Sequence, residues 1–265
     1  MNLVTLSEDK RLDQASQDKN KYICPHNQIK MKYNDFTKFF SNSRINRYYV
    51  ACGNSKPKAA KLYKANLKIA QAFHPLLGIL EVILRNSIID VLSGHFGDYD
   101  WIINQKAGFM IDPSLTFTYK KTGATKTNNY LLREVKKAES RLRKTGTVIT
   151  SGKVLSEQTL GFWTDLFAVH NYKILRGKPI KIFKSLPAGH GRKQVTDELN
   201  NIRRFRNRVN HNEPICFSGI VRDFTETEEV YQSIVNLLNW INPELIKFCY
   251  DIDKVNKSIE AAKKI

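Results

Sequence analysis

The sequence predicts an all-α fold, in which many helices form a bundle and a long mixed loop is inserted around residues 97–127. Three observations lead to this prediction. Apolar residues recur at helical spacing through most of the chain after residue 31. No segment shows the sustained alternation of a confident strand, and there is neither an internal repeat nor a glycine-rich phosphate loop. Hydrophobic residues make up 42% of the 265, so a sizeable core can be buried.

Residues 1–30 differ from the rest of the chain, because they are polar and lack a sustained period. We expect them to form a flexible polar extension, which leaves residues 31–265 as a single α-helical domain. The stretch MNLVTLSEDKRLDQ at the start turns polar too soon for a secretory signal peptide.

The cysteines are expected to be reduced thiols of a cytoplasmic protein. They lie far apart and form no C-x-x-C pair, at Cys24, Cys52, Cys216 and Cys249. No cysteine, histidine or acidic cluster has the spacing of metal ligands, so we expect neither a metal nor another cofactor.

The first helices are predicted from caps and apolar spacing. One is expected to begin near Arg44 and to end at Gly53, and a second has Pro57 in its first turn. Pro75 is expected to begin a separate core helix, PLLGILEVILRNSIIDVL, at residues 75–92. Charged and polar side chains inside that stretch argue against a membrane span, since they would be costly in lipid.

After the inserted loop, NNYLLREVKKAESRLRKTG at residues 128–146 is typical of an amphipathic helix that ends at Gly146. Residues 171–191 are basic and are interrupted by Pro179, Pro187, Gly189 and Gly191, which predicts a loop with short turns. The remaining helices are expected at residues 156–169, 192–212, 225–242 and 244–260.

The net charge of +18 and the pI near 9.7 indicate a polyanionic partner, because such an excess of cations repels itself unless counter-charges offset it. Nucleic acid is the favoured partner, and an anionic membrane surface is the rival. Each basic group alone has an ordinary explanation in solubility. The side chains expected to contact RNA phosphates are Lys56, Lys58, Lys61, Lys64, Arg133, Lys137, Arg141, Lys144, Lys173, Arg176, Lys178, Arg192, Lys193, Arg203, Arg204 and Arg208.

The stretch RNRVNH, residues 206–211, supplies the candidate site. Asn207 and His211 are four residues apart, so they share one helix face, and the long side chain of Arg206 can reach a phosphate held beside His211. Pro214 predicts that the helix stops just after His211. There the helix carbonyls favour the protonated imidazole while neighbouring arginines oppose it, which suits acid and base work.

The chemistry that fits these residues is RNA cleavage without a metal, in which arginine stabilises charge on the phosphoryl oxygens. Arg206, Asn207 and His211 are the candidate catalytic residues. One helix supplies one histidine, so a homodimer would be needed to provide both a base and an acid. The alternative is a solvated basic helix end that only binds phosphate.

The stretch RNRVNHNEPI resembles the RNR-x-x-H-x-E-P-I signature of the Abi-like abortive-infection proteins, the AbiD/AbiF group. Residues 43–88, with their LEVILRN core, resemble the N-terminal half of that family, and LGFWTDLF at residues 160–167 resembles its aromatic middle block. The resemblance covers about residues 32–245. The family is similar to the HEPN superfamily of all-α domains, which often carry an R-x4–6-H motif and cleave RNA as dimers.

By residue, the resemblance implies that Arg206 and His211 are catalytic, with Asn207 the polar residue after the arginine. Glu213 matches the acidic residue after the histidine. A polar cluster in a buried helix is matched by Glu81, Arg85 and Asn86. Many relatives have a histidine where this chain has Ile89, which weakens the case for a second catalytic pair there. Glu81 and Arg85 are instead expected to form a buried ion pair that supports the site.

For function, the resemblance implies a HEPN-like bundle that acts in antiphage defence as an RNA-binding, RNA-cleaving effector. It also implies a small structured non-coding RNA as a partner, which the charge of +18 suits better than a substrate met only in passing.

Overall fold

The computed structural model describes residues 31–265, and the expected N-terminal extension lies outside them. Helices account for 69% of the structure and strands for 4%, with 12 helices among the described residues. The helical share is about twice the average of globular proteins. The all-α class predicted from the sequence is therefore confirmed.

The helices are α1 Tyr33–Phe40, α2 Asn42–Ala51, α3 Lys56–Phe96, α4 Trp101–Asn104, α5 Tyr130–Lys144, α6 Ser151–Ser156, α7 Leu160–Asp165, α8 Val169–Ile174, α9 Arg192–Asn210, α10 Thr225–Ile241, α11 Glu244–Cys249 and α12 Val255–Lys263. Two short antiparallel hairpins interrupt them, β1 Thr116–Thr118 with β2 Thr125–Thr127, and β3 Phe217–Ser218 with β4 Val221–Arg222.

The chain divides into two compact units, one that ends at Arg47 and one that comprises Tyr48–Ile265. The boundary falls inside α2. In the first unit, Phe36 is buried and its ring lies 5.2 Å from that of Phe40. The domain boundary expected after residue 30 stays a prediction. All features discussed below belong to the second unit.

Helix α3 is continuous for 41 residues, which corrects the prediction that a separate helix begins at Pro75. A helix of that length measures about 60 Å at 1.5 Å per residue. Proline removes one donor from a helix and frees the carbonyl four residues earlier. Pro75 and Gln71 both face solvent, so water can donate a hydrogen bond to the Gln71 carbonyl, and the helix continues past Pro75 without a break.

The buried face of α3 organises the second unit. Leu76, Leu80, Leu84, Ile88 and Leu92 recur every four residues and are nearly or fully buried. Against this helix pack α7, α9, α10, α12 and the 3₁₀ turn at Lys178–Ile182. Helix α9 packs mainly on α10 and also meets α3, where the rings of Phe73 and Phe205 lie 4.7 Å apart.

The inserted segment at residues 97–127 is mixed, as predicted. It contains the short helix α4, three 3₁₀ turns and the β1–β2 hairpin, whose register pairs Thr116 with Thr127. The second hairpin, β3–β4, was not predicted, since two residues per strand carry no readable alternation.

Three helix boundaries differ from the predictions. The helix expected at residues 156–169 begins at Leu160, because Ser156 ends α6 and its hydroxyl donates to the Lys153 carbonyl at 2.8 Å. The basic segment at residues 171–191, expected to be a loop, begins inside α8. The last predicted helix is divided into α11 and α12. That break is fixed by Asp253, which accepts from the Val255 N–H at 2.9 Å and from the Tyr231 hydroxyl at 2.6 Å.

Candidate functional site

Helix α9 carries the RNRVNH stretch. Its buried side chains, Val195, Leu199, Ile202, Phe205 and Val209, recur every three or four residues, so one face packs on the core while arginines occupy the other. The first turn is capped by Gln194, whose Oε1 accepts from the Gly191 N–H at 3.0 Å.

His211 is the C-terminal cap of α9 and its side chain is exposed. Its backbone N–H donates to the Asn207 carbonyl at 3.0 Å, and Asn212 then turns the chain with a φ of 50°. Asparagine adopts this left-handed conformation more easily than most residues. The predicted stop of the helix close to His211 is confirmed.

The segment that follows His211 is fixed by a buried asparagine of α3. Asn66 is fully buried, its Nδ2 donates to the Glu213 carbonyl at 3.2 Å, and its Oδ1 accepts from the Ile215 N–H at 2.8 Å. The Thr227 hydroxyl of α10 donates to the Ile215 carbonyl. Sequence reasoning missed Asn66. The available signal was a polar residue at an apolar position of a helical pattern, between Leu62 and Ile69.

A cleft of about 370 Å³ lies beside the arginines of α9. Three short pieces of chain form it: the start of α5, the start of α7 and the C-terminal half of α9. Among the described residues, those that line it include three arginines and no carboxylate, so its charge favours an anion. They are Tyr130, Thr159, Leu160, Gly161, Arg203, Arg204, Arg206 and Asn207.

Arg206 forms an ion pair across to α3, with 3.4 Å between its Nη2 and Glu81 Oε2. The two side chains are 30% and 23% exposed, so the pair contributes at most about 1 kcal/mol. The expected buried pair between Glu81 and Arg85 is wrong. Arg85 is half-buried and its Nε donates instead to Asn86 Oδ1 at 3.5 Å, because the partner that reaches Glu81 comes from α9.

The structure brings together some of the residues predicted to be catalytic. Arg206 and Asn207 line the cleft, whereas His211 is not among its lining residues and stands one turn further along α9. Glu213 has an exposed side chain that lies 3.6 Å from Arg208 Nε. Arg208 also forms an ion pair with Glu226. Arg208 and Glu213 therefore both help to fix the segment that follows α9.

The lysines predicted to contact RNA at the start of α3 are all exposed, at Lys56, Lys58, Lys61 and Lys64. The predicted stripe on α5, from Arg133 through Lys137 and Arg141 to Lys144, is exposed too. Carboxylates neutralise part of this stripe. Lys137 lies 2.7 Å from Glu134 and Arg141 lies 2.8 Å from Glu157, while Arg133 lies 4.0 Å from Glu134.

Of the residues at 173–193 that were predicted to contact RNA, some are exposed to solvent and others are held by contacts within the protein. Lys173 and Arg176 are exposed and Lys178 is half-buried. Arg192 is held by the protein, because it lies 5.9 Å from the centre of the Tyr172 ring and donates to the Phe167 carbonyl at 3.2 Å. Lys193 is exposed and lies 3.2 Å from Asp197. Arg204, within the cleft, donates to Asn201 at 2.6 Å.

Two titratable groups lie near Arg203: Tyr130, which lines the cleft, and Asp165, which does not. Burial raises the pKa of the Tyr130 phenol, and so do the charges of Glu134 and Asp165, whereas a hydrogen bond with Thr159 and the charge of Arg203 lower it. Burial also raises the pKa of Asp165, against the charge of His170, a hydrogen bond from Asn171 and the charge of Arg203. Both the phenol and the carboxyl therefore lie close enough to Arg203 to feel its charge.

Three further properties apply to residues 31–265. No group of three or more histidine, cysteine, aspartate or glutamate side chains has the arrangement of a metal site. No helix in this range is both long and apolar enough to cross a membrane. Among the described cysteines, Cys52 and Cys249 are free thiols, and Cys216 is buried.

Comparisons with family models, with curated proteins and with solved structures gave no match. The resemblance to the Abi-like family stays a prediction.

Proposed function

We propose that this protein is a cytoplasmic RNA-binding effector of the abortive-infection type that cleaves RNA without a metal. The observation that carries the proposal is the cationic cleft on α9, which Arg206 and Asn207 line, with the exposed imidazole of His211 one turn away. The resemblance of RNRVNHNEPI to the Abi-like signature, and through it to HEPN domains, supports the same residues.

In the proposed reaction, a base removes the proton of a ribose 2′-hydroxyl, and the 2′-oxygen attacks the adjacent phosphorus. The bond from phosphorus to the 5′-oxygen breaks, and an acid protonates that oxygen. The products are a 2′,3′-cyclic phosphate and a 5′-hydroxyl. Arg206 stabilises the charge on the phosphoryl oxygens, and His211 supplies one of the two proton transfers. A second copy of the chain supplies the other, which makes a homodimer part of the proposal.

A small structured non-coding RNA is proposed as a stable partner. The net charge of +18 and the exposed lysines at the start of α3 support a broad phosphate contact outside the cleft. An RNA bound in this way would also restrain the nuclease until infection, as an effector that arrests its own host requires.

A non-catalytic RNA-binding module is the second candidate. Two observations favour it: Arg206 is already paired with Glu81, and His211 does not line the cleft. In that case, the RNRVNH stretch binds phosphate and performs no chemistry.

Incubation of the purified protein with total RNA in EDTA separates the two candidates. We expect cleavage by the wild type that leaves 2′,3′-cyclic phosphate ends, and none by His211→Ala. His74→Ala is the matched control, since His74 is exposed on α3 and does not line the cleft, and it should cleave like the wild type. Equal RNA binding by wild type and His211→Ala, with cleavage by neither, would establish the second candidate instead.

A further inference from the structure

Tyr130 is a lining residue of the cleft that the RNRVNH stretch does not include. It is the first residue of α5 and is half-buried. Its hydroxyl lies against Gly161, where an added Cβ would stand 2.7 Å from the phenol oxygen. Contacts that short do not occur, so the phenol can hold this position only because residue 161 is glycine.

The protonation state of Tyr130 decides what it can offer a ligand. Since burial raises the pKa of the phenol above its ordinary value near 10, the hydroxyl keeps its proton at neutral pH. It is therefore a neutral hydrogen-bond donor in a cleft whose charged lining residues are arginines. Donors of this kind orient a phosphate that cationic groups attract.

We propose that Tyr130 is a binding residue of the cleft, whose hydroxyl donates a hydrogen bond to a phosphoryl oxygen of an RNA strand held by Arg203 and Arg206. The proposal rests on the proposed function, because it requires that the cleft binds RNA. It does not require that RNA is cleaved.

The test measures the affinity of a fluorescently labelled single-stranded oligoribonucleotide by anisotropy, with His211→Ala as the parent so that the strand stays intact. Tyr130→Phe keeps the ring and removes the donor. We expect its binding to be about tenfold weaker, the typical effect of a hydrogen bond to a charged group. A neutral donor releases no counterions, so the dependence of affinity on salt should not change. Arg203→Gln should weaken binding and also lower the salt slope by about 0.7 for a single strand.

Tyr172→Phe is the matched control. Tyr172 is also a half-buried phenol beside an arginine and against a glycine, with 3.3 Å between its oxygen and the Cβ position of residue 177, but it lies outside the cleft. It should bind like the parent. Gly161→Ala should reproduce the loss seen with Tyr130→Phe by displacing the hydroxyl. Gly152→Ala in α6, where nothing lies within 4 Å of the added Cβ, should have no effect.

The outcomes separate this inference from the proposed function. If Arg203→Gln weakens binding while Tyr130→Phe and Tyr172→Phe both bind like the parent, the role of Tyr130 is overturned and the cleft remains an RNA site. If the parent itself binds no RNA, the proposed function fails and the inference fails with it. Thermal unfolding of each variant identifies any loss that comes from misfolding.

Discussion

At the scale of single residues, the pair between Arg206 and Glu81 determines how the cleft meets an anion. Without a ligand, Glu81 accepts from Arg206 at 3.4 Å. A phosphate would compete with this carboxylate for the same guanidinium. Glu81 therefore orients Arg206 and would also oppose the proposed binding of RNA.

Replacing Glu81 with glutamine tests this competition. Glu81→Gln should bind a single-stranded oligoribonucleotide more tightly, by about threefold to fivefold, and should lose at most about 1 kcal/mol of unfolding free energy. Asp90→Asn is the control, because it makes the same change in net charge on the exposed face of the same helix. An equal gain in both variants, measured by anisotropy, would show that only net charge matters and that the pair has no specific role.

The motif supplied two of the cleft residues but not the others. Arg206 and Asn207 could be found because the RNRVNH stretch is local in sequence. Tyr130 and Gly161 could not, because they enter the site only when α5 and α7 pack beside α9. The prediction that Glu81 pairs with Arg85 was wrong for the same reason. A spacing of four residues shows which side chains can meet within one helix, but it does not show that Arg206 reaches Glu81 from another helix.

At the scale of secondary-structure elements, the exit from α9 depends on α3. The two side-chain hydrogen bonds of Asn66 satisfy the partly buried Glu213 carbonyl and the buried Ile215 N–H, which no helix or strand pairs. They hold the backbone that follows His211 at the end of α9.

Removing this side chain should cost stability and disturb the site. In Asn66→Ala, two backbone groups lose their partners, which should lower the free energy of unfolding by about 2–4 kcal/mol in urea titration. Asn239→Ala, at an exposed position of α10, should change it by less than about 0.5 kcal/mol. Similar values for the two variants would mean that water replaces Asn66 and that the exit does not depend on it.

Helix existence was easier to predict than helix length. The apolar spacing of α3, α5 and α9 is long and regular, so those helices were found. The continuity of α3 through Pro75 could not be predicted, because it depends on which face of the helix meets water. The break between α11 and α12 depends on a tertiary contact of Asp253 with Tyr231, which no local pattern contains.

At the scale of the whole molecule, the net charge of +18 is the dominant electrostatic feature. The 43 lysines and arginines outnumber the 25 aspartates and glutamates by 18, so ion pairs within the protein cannot remove this excess of positive charge. The folded state therefore carries a self-repulsion that salt can screen.

Thermal unfolding should reveal this repulsion. Raising the ionic strength from 10 mM to 150 mM shortens the Debye length from about 30 Å to about 8 Å, so the Tm should rise by several degrees. The triple variant Lys58→Gln, Lys61→Gln and Lys64→Gln removes three exposed charges from α3 and should show a smaller rise. A Tm that stays level or falls with salt would mean that ion pairs outweigh the net repulsion.

Because α3 is unbroken, both its length and its helical repeat fix the relative positions of the side chains that it carries. Asn66 and Glu81 are 15 residues apart on α3, about 22 Å along its axis. Asn66 bonds to the backbone of Glu213 and Ile215, and Glu81 accepts from Arg206. One residue inserted between them would rotate Glu81 by about 100° around the helix axis relative to Asn66, away from Arg206. Inserting seven or eleven residues would restore the angle but lengthen the helix by about 10 or 16 Å, so either insertion would still separate the two contacts.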